Sequence, residues 1–278
     1  MCRKYIMRLF ILAFLLPLAT AYHATNDLLR RVEAECRDVD VLSCTWENDM
    51  LIVDWNKDKP RDVLWTFNEH ARERVTGELA LHIIRQLKVI RPTRRITIIP
   101  VVNIWGRKRV EAGDTCRRKN QHGVDTNRNY PVHRRHYPLK SEEYEGRTPL
   151  SEPQTQYIAA VLHNHTRMFI NIHSGEFSIY SGWDSTYHLP PNHNRLFHNI
   201  ETWAKQCPTC ATGSAAVAST YLAYGTAVDY ATSLGIDAYT FEIFGGDHDT
   251  CEHMFNPSPK ELPHILEQWS HILQNTLQ

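Results

Sequence analysis

The chain has 278 residues, with 31 basic and 31 acidic side chains and a formal net charge of zero. That length is ample for a sizeable core and suits one large domain or two small ones. The balanced charge gives no support for a nucleic acid or an anionic membrane as main partner, and the runs Arg117-Arg118-Lys119 and His133-Arg134-Arg135-His136 are too short to alter that.

The first segment reads as a targeting signal. A basic start, MCRKYIMR, leads into the apolar run LFILAFLLPL, and Ala19-Thr20-Ala21 offers a small-x-small cleavage site before Tyr22. The apolar run is too short to span a bilayer. The expectation is a secretory signal peptide over residues 1–21 and an exported chain over 22–278, with no later membrane span. Without Cys2, the cysteines are Cys36, Cys44, Cys116, Cys207, Cys210 and Cys251, an even set that an oxidising compartment would pair. Cys36 with Cys44 is the easiest local closure. Cys207 and Cys210 could be read as a redox pair or as half a metal knuckle, but no second C-x-x-C accompanies them, so structural bridging is expected there. Asn164-His165-Thr166 is a glycosylation sequon, meaningful for an exported chain.

No internal repeat or low-complexity linker interrupts the rest, which reads as one domain. In chain order, strands are expected over Leu51–Trp55 and Asp62–Phe67, a helix over Thr76–Leu87, and a strand over Arg95–Asn103. A helix then runs from Ser151 through Leu162, followed by a strand over Arg167–His173 and a helix over Asn194–Lys205. The last pair is a strand over Ala238–Phe244 and a helix over Glu261–Leu277. The strands are mostly continuous apolar runs, as expected when both faces are covered. Leu79, Ile83 and Leu87 share one helix face, and Ser151 with Gln154 has capping-box spacing. This alternation predicts a three-layer α/β/α domain with a mixed, mainly parallel sheet.

Ligands of such sheets sit at the carboxyl ends of strands. His70 and Glu73 follow one strand there, His173 closes another, and Glu242 lies near the end of a third. Two histidines and a carboxylate suit zinc with a fourth position left for water, although H-x-x-E alone also describes many solvated helix starts. Four further blocks accompany HARE (His70 to Glu73): GVDTNRNYP (Gly123 to Pro131), NIHSGE (Asn171 to Glu176), YLAYGTAVDY (Tyr221 to Tyr230) and TFEIFG (Thr240 to Gly245). In this order the chain closely resembles the zinc carboxypeptidases of the carboxypeptidase A type, from about Trp65 to about Pro257.

The resemblance implies roles residue by residue. His70, Glu73 and His173 match the ligands of one zinc ion, and Asp125 matches a carboxylate that accepts the first histidine's other ring proton. Glu242 matches the general base. Arg118 matches the arginine that polarises the scissile carbonyl, with Arg117 as a competing assignment. Asn127 and Arg128 match the grip on the substrate's terminal carboxylate, Tyr221 the mobile tyrosine that closes over it, and Arg72 a secondary carboxylate contact. Val228 falls where the family places the base of its specificity pocket, which implies apolar or aromatic C-terminal residues. Ordinary alternatives are a turn aspartate for Asp125, core packing for Tyr221, a surface ion pair for Arg72 and loop packing for Val228, with Tyr224 reshaping the pocket.

There are departures. Gly175 stands where many pancreatic-type members carry an aromatic, and Glu176 adds a charge that makes it a competing base. Neither an inhibitory propeptide before the first strand nor a C-terminal transthyretin-like domain is expected, and the blocks look closer to a compact plant- and protist-like subgroup. The function implied is a secreted, monomeric zinc metallocarboxypeptidase acting on peptides or proteins with a free C-terminus. The rivals are another zinc amidohydrolase on this scaffold, such as a deacylase or murein-peptide hydrolase, and a non-catalytic peptide-binding relative.

Overall fold

Apolar runs that point alternate side chains into two separate cores build the middle of the sheet. The computed structural model describes residues 22–37, 39–164, 166–246 and 249–278; the expected signal peptide and His165 of the sequon lie outside the described residues. The first half contains α1 (Thr25–Glu35), β1 (Leu42–Glu47), β2 (Met50–Trp55), β3 (Arg61–Phe67), α2 (Arg74–Ile90), β4 (Arg95–Ile99) and α3 (Ile104–Glu111). Then come α4 (Pro153–His163), β5 (Met168–His173), β6 (Phe177–Ser181), α5 (His193–Ala204), β7 (Ala211–Ser214) and α6 (Ala215–Ala218). The chain finishes with α7 (Ala227–Ser233), β8 (Asp237–Ile243), α8 (Cys251–Phe255) and α9 (Leu262–Asn275).

The strands form one sheet in the order β1-β2-β4-β3-β5-β8-β6-β7. Its centre, β4-β3-β5-β8, is parallel, while β1–β2, β2–β4 and β6–β8 are antiparallel. Because side chains alternate along a strand, Trp65, Ile170 and Phe241 join one core with Leu79, Ile83, Leu196 and Trp269 from the helices. Leu64, Phe169 and Ala238 join a second core with Ile158, Leu162 and Ala231 on the opposite face. The mixed three-layer architecture is as expected.

Differences from the sequence reading have local causes. β4 stops at Ile99, because Pro100 has no N–H to donate to a ladder, and Asn103 then caps α3 by accepting from the Gly106 N–H at 2.8 Å. The expected capping box at Ser151 does not form. Its hydroxyl instead donates to Glu152 Oε1 at 2.7 Å and accepts from Asn129 Nδ2 at 3.0 Å, and the helix begins at Pro153. β1 and β7 carry mostly half-buried or exposed residues, so no apolar run announces them.

Disulfides join Cys36 to Cys44, Cys207 to Cys210, and Cys116 to Cys251. The first two are the local bridges expected. The third spans 135 residues and ties the segment before Arg118 to α8. Closing a long loop removes conformational freedom from the unfolded chain, so the double variant Cys116→Ser/Cys251→Ser is expected to lose about 2–4 kcal/mol of stability. Denaturant unfolding measures this, and an unchanged midpoint would contradict it. Among the described residues, no helix is long and apolar enough to cross a membrane.

Candidate active site

The site starts where β3 ends. Asn68 takes a left-handed conformation (φ 51°) that asparagine tolerates. Its side-chain amide donates to the carbonyls of His70 at 2.8 Å and Glu73 at 3.2 Å, and its Oδ1 accepts from the buried Arg107 at 2.9 Å. This turn reverses the chain within a few residues and sets His70 and Glu73 at the start of α2. Parallel pairing of β3, β5 and β8 brings the other two candidates alongside, with His173 directly opposite Glu242 in the register.

His70, Glu73 and His173 are all buried, and one donor atom from each falls within 4.8 Å of the others. Glu73 Oε1 lies 2.7 Å from His70 Nδ1, Glu73 Oε2 lies 3.0 Å from His173 Nδ1, and the two Nδ1 atoms are 3.1 Å apart. Two ring nitrogens and one carboxylate turned on a common point are the donor chemistry of zinc, and the residues present fit that ion. Burial alone would raise Glu73, but the two histidines hold it well below the usual carboxylate range. Burial would likewise lower His173, yet Glu73 outweighs it and pushes the ring up to about 9.

A second layer fixes these rings. Asp125 Oδ1 accepts from His70 Nε2 at 3.3 Å and from the Asn127 N–H at 3.0 Å, while its Oδ2 accepts from Arg118 Nε at 2.7 Å. Against burial, Arg118 and His70 keep this carboxyl well below its ordinary range. Glu69, adjacent to His70 in sequence, plays no part in the motif reading. It is buried, receives the Asn171 amide at 2.7 Å, and places Oε2 3.8 Å from the outer nitrogen of His173.

A cavity of about 480 Å³ opens over the triad and is lined by Arg118, Asn127, Arg128, Glu176, Tyr221 and Glu242, among others. Glu242 Oε2 is buried without a hydrogen-bond partner. Burial, reinforced by Glu73 and Glu176 and opposed by His173, pushes that carboxyl up to about 8. Arg128 donates to Glu143 Oε1 from Nε at 3.2 Å and from Nη2 at 2.8 Å, and the Tyr221 hydroxyl also bonds Glu143.

Two residues expected at the site are elsewhere. Arg72 is not in the cavity wall; it donates to the Cys116 carbonyl, pairs with Glu142 at 3.4 Å and lies over the Phe255 ring. Val228 is also outside it, because α7 starts at Ala227 and turns the valine into the second core. Val228 therefore packs in the second core and is not among the residues lining the cavity. Asp184, unnoticed in the sequence, lines the cavity instead.

The family model for zinc carboxypeptidases matches residues 34–270. The chain belongs to the zinc carboxypeptidase family. Solved structures with the same fold include bovine thrombin-activatable fibrinolysis inhibitor in complex with tick carboxypeptidase inhibitor, at TM-score 0.78 and 21% identity, covering 91% of this chain and 98% of that one. Carboxypeptidase A from Helicoverpa armigera superposes at TM-score 0.80 with 21% identity, over 92% of this chain and 73% of that one. Murein-tripeptide amidase from Escherichia coli O157 gives TM-score 0.51 and 16% identity, over 81% and 85% of the two chains. At these identities the likeness is one of fold. Direct comparison of the sequence with curated proteins finds no match.

Proposed function

We propose that the chain is a zinc-dependent carboxypeptidase that hydrolyses the last peptide bond of a peptide with a free C-terminus. The observation that carries this reading is the meeting of Asn127 and Arg128 with the His70–Glu73–His173 triad and Glu242 in one cavity. Zinc, when held by the triad, supplies Lewis-acid activation of the attacked carbonyl and of water.

The remaining work falls to side chains. Arg128 offers a planar fork to the terminal carboxylate, beside the amide of Asn127. Glu143 now sits on that fork, so an arriving carboxylate displaces it. Tyr221, half exposed at the rim and bonded to the same glutamate, is poised to cover the bound terminus. Arg118, fixed by Asp125, faces the carbonyl oxygen as negative charge develops there. Glu242 takes the proton of the attacking water and returns it to the departing amine. A carboxyl raised toward neutrality suits that exchange, since a general base works best with a pKa near the working pH. The disulfides support function in an oxidising compartment such as the secretory pathway.

The test is a pair of blocked dipeptides that differ only in a free or amidated C-terminus. The acid is expected to be cleaved and the amide to be slower by about a hundredfold or more, with Arg128→Ala losing a comparable factor on the acid. Equal rates on acid and amide would instead indicate a general amidohydrolase.

A further inference from the structure

The opposite edge of the sheet carries a second cavity. β4, β3 and β5 are parallel neighbours, and an arginine stands at the start of each: Arg61 opens β3, Arg95 opens β4, and Arg167 immediately precedes β5. Together with Lys59 and Arg94 they line a cavity of about 510 Å³. A strand advances about 3.3 Å per residue, so β3 separates this cavity from the turn carrying His70 by about 20 Å.

The charges there do not balance. Arg95 donates to Asp54 from Nε at 3.3 Å and from Nη2 at 3.0 Å, and Arg94 pairs with Asp62 at 3.1 Å. Lys59 gives its ammonium only to the Thr93 carbonyl, at 2.6 Å. Arg61 is half-buried, donates Nε to the Thr97 hydroxyl at 2.9 Å, and is ion-paired with no carboxylate among the described residues. Burial first, and then the charge of Arg95, push that guanidinium below the usual arginine range, against Asp54 and Tyr157. The Arg167 side chain also has no partner among the described residues, although its backbone is fixed. Its N–H donates to the Asp62 carbonyl at 2.9 Å, and its carbonyl accepts from the Asp237 N–H at 3.0 Å. Three cations thus line the cavity without a carboxylate. Apart from Pro60, every lining residue is charged or a threonine, so the wall offers no surface to a nucleobase or an apolar side chain.

We propose that this cavity binds a multivalent tetrahedral oxyanion, phosphate or sulfate, either free or as an ester on a small polar molecule. Such an ion accepts hydrogen bonds on all sides, which suits donors arriving from three strand starts and a loop, and an arginine fork engages two of its oxygens at once. It also relieves the repulsion between Arg61 and Arg95. Chloride or a lone carboxylate brings a single charge to three cations that lack one. The site stands apart from the zinc triad and does not depend on the peptidase reading.

The experiment is calorimetric titration of the zinc-loaded protein with sodium sulfate and sodium phosphate, at an ionic strength held constant with chloride. One ion is expected to bind per chain outside the active site, with Arg128→Ala retaining that binding. Arg61→Gln and Arg167→Gln are each expected to weaken it by about tenfold or more, as the loss of a charge-assisted hydrogen bond implies. Arg167 is exposed, so its replacement keeps the test decisive should Arg61→Gln disturb the start of β3. Glucose 6-phosphate separates the two sources of the ligand: tighter binding than inorganic phosphate assigns an ester, and equal or weaker binding assigns the free ion. Absence of binding by both sulfate and phosphate, or binding unchanged in both Arg61→Gln and Arg167→Gln, overturns the proposal.

Discussion

Glu242→Gln is expected to keep its fold and its zinc while hydrolysing a blocked dipeptide about a hundred- to ten-thousandfold more slowly, mainly in kcat. The amide preserves the shape of a half-buried side chain on β8, directly opposite His173. It cannot accept a proton, so the attacking water and the departing amine lose their shared carrier. No hydrogen bond is sacrificed at Oε2, which has no partner to lose. The measurement is single-turnover and steady-state hydrolysis alongside metal analysis. Turnover within a few-fold of wild type would transfer the base role to Glu176, which also lines the cavity.

His173→Ala is expected to lose zinc and activity together while the domain stays folded. Catalytic zinc is held by three protein groups with one position open, and the variant retains only His70 and Glu73. Removing the imidazole also strips Glu73 Oε2 of its 3.0 Å neighbour, so the remaining carboxylate is less well positioned for a cation. A smaller effect is expected one layer out. Asp125→Asn still meets His70 but weakens the partner that orients the ring, and groups of this kind typically change metal affinity or activity by about ten- to a hundredfold. Metal content by plasma emission and unfolding by circular dichroism separate loss of ligand from loss of fold. Full zinc content in His173→Ala would remove that residue from the ligand set.

The site was legible in the sequence wherever a chemically distinctive residue closed an apolar strand. His173 and Glu242 are such residues, and H-x-x-E after the run ending at Phe67 is another. Their proximity was not local information. It comes from the parallel pairing of β5 with β8, which no pattern within either strand records. The turn carrying His70 and Glu73 depends on Asn68, whose importance lies in a left-handed backbone and three bonded carbonyl or guanidinium groups rather than in any motif. Counting along Tyr221 to Tyr230 pointed to Val228, but it carries no information on which way that side chain turns. The Thr226 cap starts α7 so that Val228 faces the second core. Asp184 arrives from the loop after β6, a strand of five residues that the sequence reading did not anticipate. Glu143 was equally invisible, since only the folded loop brings it onto Arg128.

The central claim is that hydrolysis at a free C-terminus depends on a zinc ion held by His70, Glu73 and His173. Its most direct test is to strip the purified protein with a chelator and titrate zinc back while following cleavage of a blocked dipeptide that ends in a free carboxylate. The account predicts no cleavage by the stripped protein, full recovery at one zinc per chain, and no recovery in His173→Ala. Undiminished cleavage by the metal-free protein, or recovery in His173→Ala at the same zinc level, would contradict it.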